Sequence, residues 1–337
     1  MKKRKKFCLR TLLLVVAMLC GCSREANVNQ GDVKEIRVGI FLYNQDDLFI
    51  NDLMGKLDSG FREKEKEGDF KITFNFCDAK ASQTTQNDQI DKCIAQGYDV
   101  LCVNLVDRTD AAVIVDKGKK AGIPIVFFNR EPVSADMERW EETYYVGVAT
   151  EDGGKLQGQI FLEQYEKNPG IDKNGDGVIQ YVMLEGEPGH QDATIRTESC
   201  IKTIQEAGVE LERLETYSAN WRRSQAKEIM EDWLLKYGDG IEAVFSNNDE
   251  MALGVLDAMD ALNIPEGSIK IVGLDGIEEA VQAVRSGRML GTVLNDTAGQ
   301  ANAIIDLAVA LGRGEEPGDI AYMQDDRTVR VPHKIIR

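Results

Sequence analysis

Histidine is nearly absent: the 337 residues hold two, His190 and His333. That excludes a multi-histidine metal centre, and a catalytic histidine would have to be one of this pair. Proline is scarce as well, at 7 residues beside 31 glycines, while apolar residues make up 43% of the chain. Neither a collagenous nor a disordered polymer has that balance. Positive charge is in deficit, with 40 Lys and Arg against 57 Asp and Glu and a formal charge of −17. An acidic surface repels phosphates, so no nucleic-acid partner is expected. The apolar run 12–19 is too short to cross a bilayer as a stable helix. Cysteine is present seven times, at 8, 20, 22, 77, 93, 102 and 200, without the C-x-x-C spacing of a metal site. Cys93 and Cys102 fall in apolar contexts that favour buried thiols, and the pattern pairs no two of the four distal cysteines.

What is present begins with an address. Six basic residues at positions 2–10 precede the apolar run, with no acid through position 21, which is the pattern of a secretory signal. It ends in Leu19-Cys20-Gly21-Cys22-Ser23, which resembles a bacterial lipobox, with Cys22 lipidated as the new N-terminus. A plain cleaved signal or an uncleaved anchor is the alternative. Residues 22–35 then read as a polar tether.

Beyond it, apolar strand patterns alternate with helical ones. Strands are expected at 36–43, 71–76, 100–105, 123–128 and 144–148, then at 179–184, 210–217, 242–246, 269–273 and 291–294. The intervening segments carry helical periodicity, as where Phe49, Leu53, Leu57 and Phe61 recur every four residues. Short apolar strands alternating with helices imply parallel sheets covered on both faces, and so many strands imply two sheets in two lobes. The expected fold class is therefore α/β, two doubly wound parallel-sheet lobes.

Ligands of such sheets sit beyond the carboxyl ends of the strands. Polar residues recur at those ends: Asp46 and Asp47, Asn104 and Asp107, Asn247 to Asp249, Asp275, then Asn295 and Asp296. Any one of them fits an ordinary turn or helix cap; the repetition points to a site. Carboxylates and amides pair with hydroxyls, which both donate and accept. Phe49 and Trp221 supply rings on which a pyranose packs. No G-x-S-x-G, H-E-x-x-H or phosphate loop is present, so the site is read as binding without chemistry.

A second motif is sharper. Residues 172–180, DKNGDGVIQ, place Asp172, Asn174, Asp176 and the Val178 carbonyl at the alternate positions of an EF-hand calcium loop, with Gly177 at its sharp turn. The twelfth position, where a bidentate Glu belongs, is Met183. The expected ion is a structural calcium, completed from elsewhere in the chain.

At these residues the chain resembles the periplasmic galactose/glucose-binding protein family of ABC transporters, a type I periplasmic binding protein fold. The resemblance spans 36–332 through QNDQIDK, NLVD, PIVFFNREP, DKNGDGVIQ, GEPGHQDA, NWRRSQAK, SNND and GTVLND. It implies lobes of 36–122 plus 297–328 and of 123–296 plus 329–337, joined by a multi-strand hinge. It implies sugar contacts from Asp47 and Asn104 in the first lobe, and from His190, Asp192, Arg196, Asn248, Asp275 and Asn295 in the second. Phe49 and Trp221 would cover opposite faces of the ring. Gln180 and Glu242 would complete the calcium shell. Gln191 departs from the pattern, standing where a Pro commonly separates the His and Asp. The implied partners are D-galactose or D-glucose, an ABC permease and, as a second candidate, a chemoreceptor. The expected protein is a monomer, held to the membrane by lipid alone. A binder of another monosaccharide, a repressor's effector domain and a secreted glycosidase are the rivals; the second would need a helix-turn-helix where the signal stands.

Overall fold

The structure, a computed structural model, describes residues 34–337. The expected signal, the lipidation site at Cys22 and most of the tether lie outside these residues. In chain order the elements are β1 (Lys34–Leu42), α1 (Leu48–Glu67), β2 (Phe70–Asp78), α2 (Gln83–Ala95), β3 (Val100–Val103), α3 (Ala111–Ala121), β4 (Ile125–Phe128), the single turn α4 (Ser134–Met137) and β5 (Thr143–Val148). There follow α5 (Thr150–Lys167), β6 (Val178–Glu185), α6 (Gln191–Glu206), β7 (Glu210–Ser218), α7 (Arg223–Tyr237), β8 (Ala243–Ser246), α8 (Asp249–Ala261) and β9 (Lys270–Val272). The last are α9 (Glu278–Arg285), β10 (Thr292–Leu294), α10 (Thr297–Arg313), β11 (Thr328–Val331) and β12 (Lys334–Ile336).

These build two lobes. The first holds six strands in the order β11-β5-β4-β3-β1-β2, all parallel. The second holds β7-β6-β8-β9, also parallel. Bridges from Val272 to Gly291 and from Asp275 to Leu294 carry it on to β10, which pairs antiparallel with β12. β3, β4 and β8 are buried along their whole length, because helices cover both faces of each sheet. Each sheet accordingly has one apolar cluster per face: Leu53, Phe61 and Ile304 lie on one side of the first, Phe127, Ile114 and Tyr145 on the other.

Sheet membership corrects the expected lobe boundaries. The strands at 125–128, 143–148 and 328–331 all belong to the first sheet, so the first lobe runs to about residue 148 and takes back β11. Periodicity reveals that IVFF is a buried strand but not which sheet receives it. That is decided by pairing, here Leu101 with Ile125 and Phe127 with Tyr145. The tether also ends earlier than expected, since β1 begins at Lys34. The chain crosses between lobes three times, after β5, after β10 and after β11.

Order reverses beside β1 in the first sheet and beside β6 in the second. Such switch points open a crevice at the strand ends. The loops after β1, β4, β6, β8 and the 273–277 segment converge there.

Candidate functional site

In the first lobe, Asp47 caps α1: one carboxylate oxygen accepts from the Ile50 amide at 3.1 Å. The other accepts from the Tyr43 hydroxyl at 2.5 Å. Tyr43 is buried, and burial first, then the Asp47 charge, pushes its phenol well above the ordinary range, so it stays a donor. Arg130, just past β4, stacks on the Tyr43 ring at 3.7 Å and reaches across the cleft to Glu187 at 2.9 Å. That ion pair joins the lobes.

In the second lobe, His190 caps α6 through its Nδ1, which accepts from the Asp192 amide at 3.2 Å. Burial, then the nearby arginines, pushes the His190 pKa down to about 2. The ring is neutral, and with Nδ1 accepting, Nε2 carries the proton and is available to donate. Asp192 and Arg196 stand four residues apart and so share one face of α6. Arg196 is 5% exposed; it donates to the Asn247 carbonyl at 3.0 Å and lies 3.8 Å from Asp192. Its Nε has no partner.

Trp221 sits in the turn before α7 with a left-handed φ of 64° and meets the His190 ring edge-on at 5.1 Å. The indole lies directly over Gly186, where a Cβ would fall 2.0 Å from the Trp221 ring, so glycine is required at that position. Asn248 caps α8 through the Met251 amide, and its amide nitrogen donates to the Trp221 carbonyl at 3.4 Å. Asp275 holds a φ of 130°, a strained value for any residue but glycine. Neighbouring Asp249 fixes it: this fully buried carboxylate accepts from Gly276 at 2.7 Å, Ile277 at 3.0 Å and Thr292 at 2.6 Å. Burial pushes the pKa of Asp249 up to about 6. Burial also raises Asp192 and Asp275, and Arg196 is the first opposing influence on both.

These side chains surround a cavity of about 40 Å³ between the lobes. Nine of the ten residues expected in the sugar site line it: Asp47, Phe49, His190, Asp192, Arg196, Trp221, Asn248, Asp275 and Asn295. Asn104 does not. It is fully buried behind the wall, where it accepts from the Tyr43 amide and donates to Asn129 and the Phe128 carbonyl. Its role in this geometry is to set the β1 and β4 loops. Tyr43, Ile50, Asn129 and Arg130 line the cavity without having been expected there. Asn129 and Arg130 carried a signal, since they follow an apolar strand as the other polar sets do.

The calcium candidates lie on the loop leading into β6, at the start of β6 and at the residue before β8. Glu242 directly precedes β8, and because Tyr181 pairs with Ala243, Gln180 and Glu242 lie abreast. Glu242 is 1% exposed, and its two oxygens accept from the Lys173 and Gln180 amides at 2.6 and 3.0 Å. Asp172 accepts from Gly175 and Gly177, both at left-handed φ, and Asn174 and Asp176 fold over the same turn. Among the described residues no three His, Cys, Asp or Glu side chains gather about a point. A site here would combine the Asp172, Asp176 and Glu242 carboxylates with the Asn174 and Gln180 amide oxygens and the Val178 carbonyl, hard oxygen donors of the kind calcium takes.

Residues 38–316 match the periplasmic binding protein domain family. The chain belongs to that family. Its members bind solutes outside the cytoplasm, and this chain is a binding protein rather than an enzyme. It is 36% identical over 299 residues to the D-galactose/methyl-galactoside binding periplasmic protein MglB of Haemophilus influenzae, covering 88% of each chain. It is 36% identical over 242 residues to a putative rhizopine-binding protein of Rhizobium meliloti, across 71% of this chain and 74% of that one. An ABC transporter solute binding protein from Bacillus halodurans, solved with bound myo-inositol, superposes with a TM-score of 0.74 at 28% identity, covering 91% of this chain and 96% of that one.

The Asp249 contacts give a first expected outcome. Asp249→Asn puts a donor where three donors converge, so the Asp275 loop should relax and sugar affinity fall by about 1–3 kcal/mol, the range for a spoiled buried hydrogen bond. Calorimetric titration reads this directly; an unchanged affinity would show that the loop is held by other means.

Proposed function

We propose that the chain binds D-galactose or D-glucose between its lobes and presents it to an ABC permease, with a chemoreceptor as a second partner. We place it outside the cytoplasm on a lipid anchor at Cys22, as a monomer. Arg196 carries the reading. A guanidinium that is 5% exposed keeps, among the described residues, an unpaired Nε free for a ligand acceptor, and it stands among the acceptors Asp192 and Asp275 and the donor His190. An uncharged polyol fits this set, since each hydroxyl accepts from one neighbour and donates to the next. Phe49 and Trp221 offer rings to its apolar faces. The kinship to a galactose-binding relative supports the choice of hexose.

The ligand bridges residues of both lobes, so binding favours the closed arrangement as a shift of population. The Arg130–Glu187 pair adds to the same closed state. Asp172, Asn174, Asp176, the Val178 carbonyl, Gln180 and Glu242 would hold a structural calcium, whose charge would tie the loop at 172–180 to β8.

Tryptophan fluorescence tests the assignment. Galactose and glucose should each quench or shift the emission, and Trp221→Ala should remove the response and weaken binding by about 1–3 kcal/mol, as for a buried aromatic contact. No optical change and no heat with either sugar would overturn the hexose reading. A second reading, a cyclic polyol, is favoured by the relative solved with myo-inositol; it requires inositol to bind more tightly than either hexose.

A further inference from the structure

Four cysteines lie among the described residues, all free thiols. Cys102 and Cys200 are fully buried, and burial raises both far above the ordinary thiol range. They are inert packing groups. The other two stand differently. Cys77 is the penultimate residue of β2, the edge strand of the first sheet. Cys93 lies on α2, the helix that packs against that edge. Both join one apolar cluster around Phe41, Ile90 and Tyr98, and hydrogen bonds on either side, from Gln89 of α2 to the Asp78 carbonyl at 2.8 Å and from Asn75 to the Tyr98 hydroxyl at 2.6 Å, hold Cys93 over Cys77. Cys77 is partly exposed, while Cys93 is 5% exposed behind it.

The surroundings favour reaction at Cys77. The hydrogen bond from the Cys93 thiol, and then the charge of Lys92, lower its pKa to about 7 against the opposing effect of burial. A partly exposed thiol of that acidity, with a second thiol held beside it in the same cluster, is how redox-active cysteine pairs are built. Neither residue takes part in the sugar cavity or the calcium loop.

We propose that Cys77 and Cys93 form a thiol–disulfide site, oxidised to an internal bridge by small-molecule disulfides outside the cell. The Cys77 thiolate attacks one sulfur of a disulfide RS–SR; that bond breaks, and RS⁻ leaves and takes up a proton. Cys93 then gives up its proton and attacks the Cys77 sulfur of the mixed disulfide, expelling the second RS⁻. Two protein thiols are oxidised to one disulfide while RS–SR is reduced to two RSH. Cys93 begins as a poor nucleophile, raised first by its hydrogen bond to Cys77, then by burial and by the Cys77 charge. The first and last of these vanish once Cys77 carries RS, so the order of events is fixed. The bridge clips α2 to the sheet edge beside Asp78, whose carboxylate accepts from the Gln45 amide in the loop leading to Asp47.

The test treats the folded full-length chain with cystamine, blocks remaining thiols, and digests with trypsin. Peptide 72–80 should appear joined to peptide 93–108, with fragment ions placing the bond at Cys93 rather than Cys102. Dithiothreitol should reverse it, and the oxidised protein should melt at a higher temperature. Cys93→Ser should instead hold Cys77 as a stable cystamine adduct, and Cys77→Ser should leave Cys93 unmodified. A lasting adduct on Cys77 in the unsubstituted chain, a bond from Cys77 to any other cysteine, or no reaction at Cys77 would each overturn the proposal.

Discussion

Arg196→Ala should cost about 3–5 kcal/mol of sugar affinity, the upper part of the range for truncating one partner of a buried hydrogen-bonded charge pair at a binding site, while the chain still folds. That is a loss of roughly a hundredfold to several thousandfold. The reason lies in what the guanidinium serves. It is 5% exposed, bonded to the Asn247 carbonyl, faces Asp192, and lies 5.8 Å from the Trp221 ring. Without it, burial acts on Asp192 and Asp275 with its first opposing influence gone, and both carboxyls move further toward the protonated form. The sugar loses a donor and two strong acceptors together. Arg196→Lys keeps the charge but not the planar fork, so it should fall between the two. Calorimetry measures the affinities and a circular dichroism melt checks the fold. An alanine variant within tenfold of the unsubstituted protein would show that Arg196 faces no ligand.

Removing the proposed calcium should produce the second large effect. An ion that binds only the folded chain, held at about a thousand times its dissociation constant, adds about 4 kcal/mol. For a protein of this size that corresponds to a fall in melting temperature of roughly 10 °C on chelation. Glu242→Gln should abolish the difference between chelated and calcium-loaded melts, because it removes the buried carboxylate that closes the loop onto β8. An unchanged melt after verified metal removal would count against the site.

Much of this architecture was legible in the sequence, for identifiable reasons. Buried parallel strands read as apolar runs, so VLCV, IVFF and AVFS announced themselves. Of the residues lining the cavity, Asp47, Asn248, Asp275 and Asn295 announced themselves by recurring at the ends of those runs, while His190, Asp192 and Arg196 were legible only through the family resemblance. What stayed hidden depends on pairing and on side-chain direction. IVFF does not reveal that it joins β3 rather than the second sheet. Asn104 stands at a strand end like Asp47, yet turns inward to hold Tyr43 and Asn129. Asp249 looks like one more polar residue in Asn247-Asn248-Asp249-Glu250, but is fully buried and fixes the Asp275 loop. Arg130 shows its meaning only when the lobes bring Glu187 within 2.9 Å.

The low count of histidine takes on a positive sense in this light. His190 is held neutral with its tautomer set by capping α6, which leaves Nε2 able to donate.

The most direct test of the account is calorimetric titration of the purified chain with D-galactose, D-glucose, myo-inositol, ribose and xylose. Saturable heat is expected with galactose or glucose at lower concentrations than with any of the other three. Tighter binding of myo-inositol or a pentose, or no heat with either hexose, would contradict it.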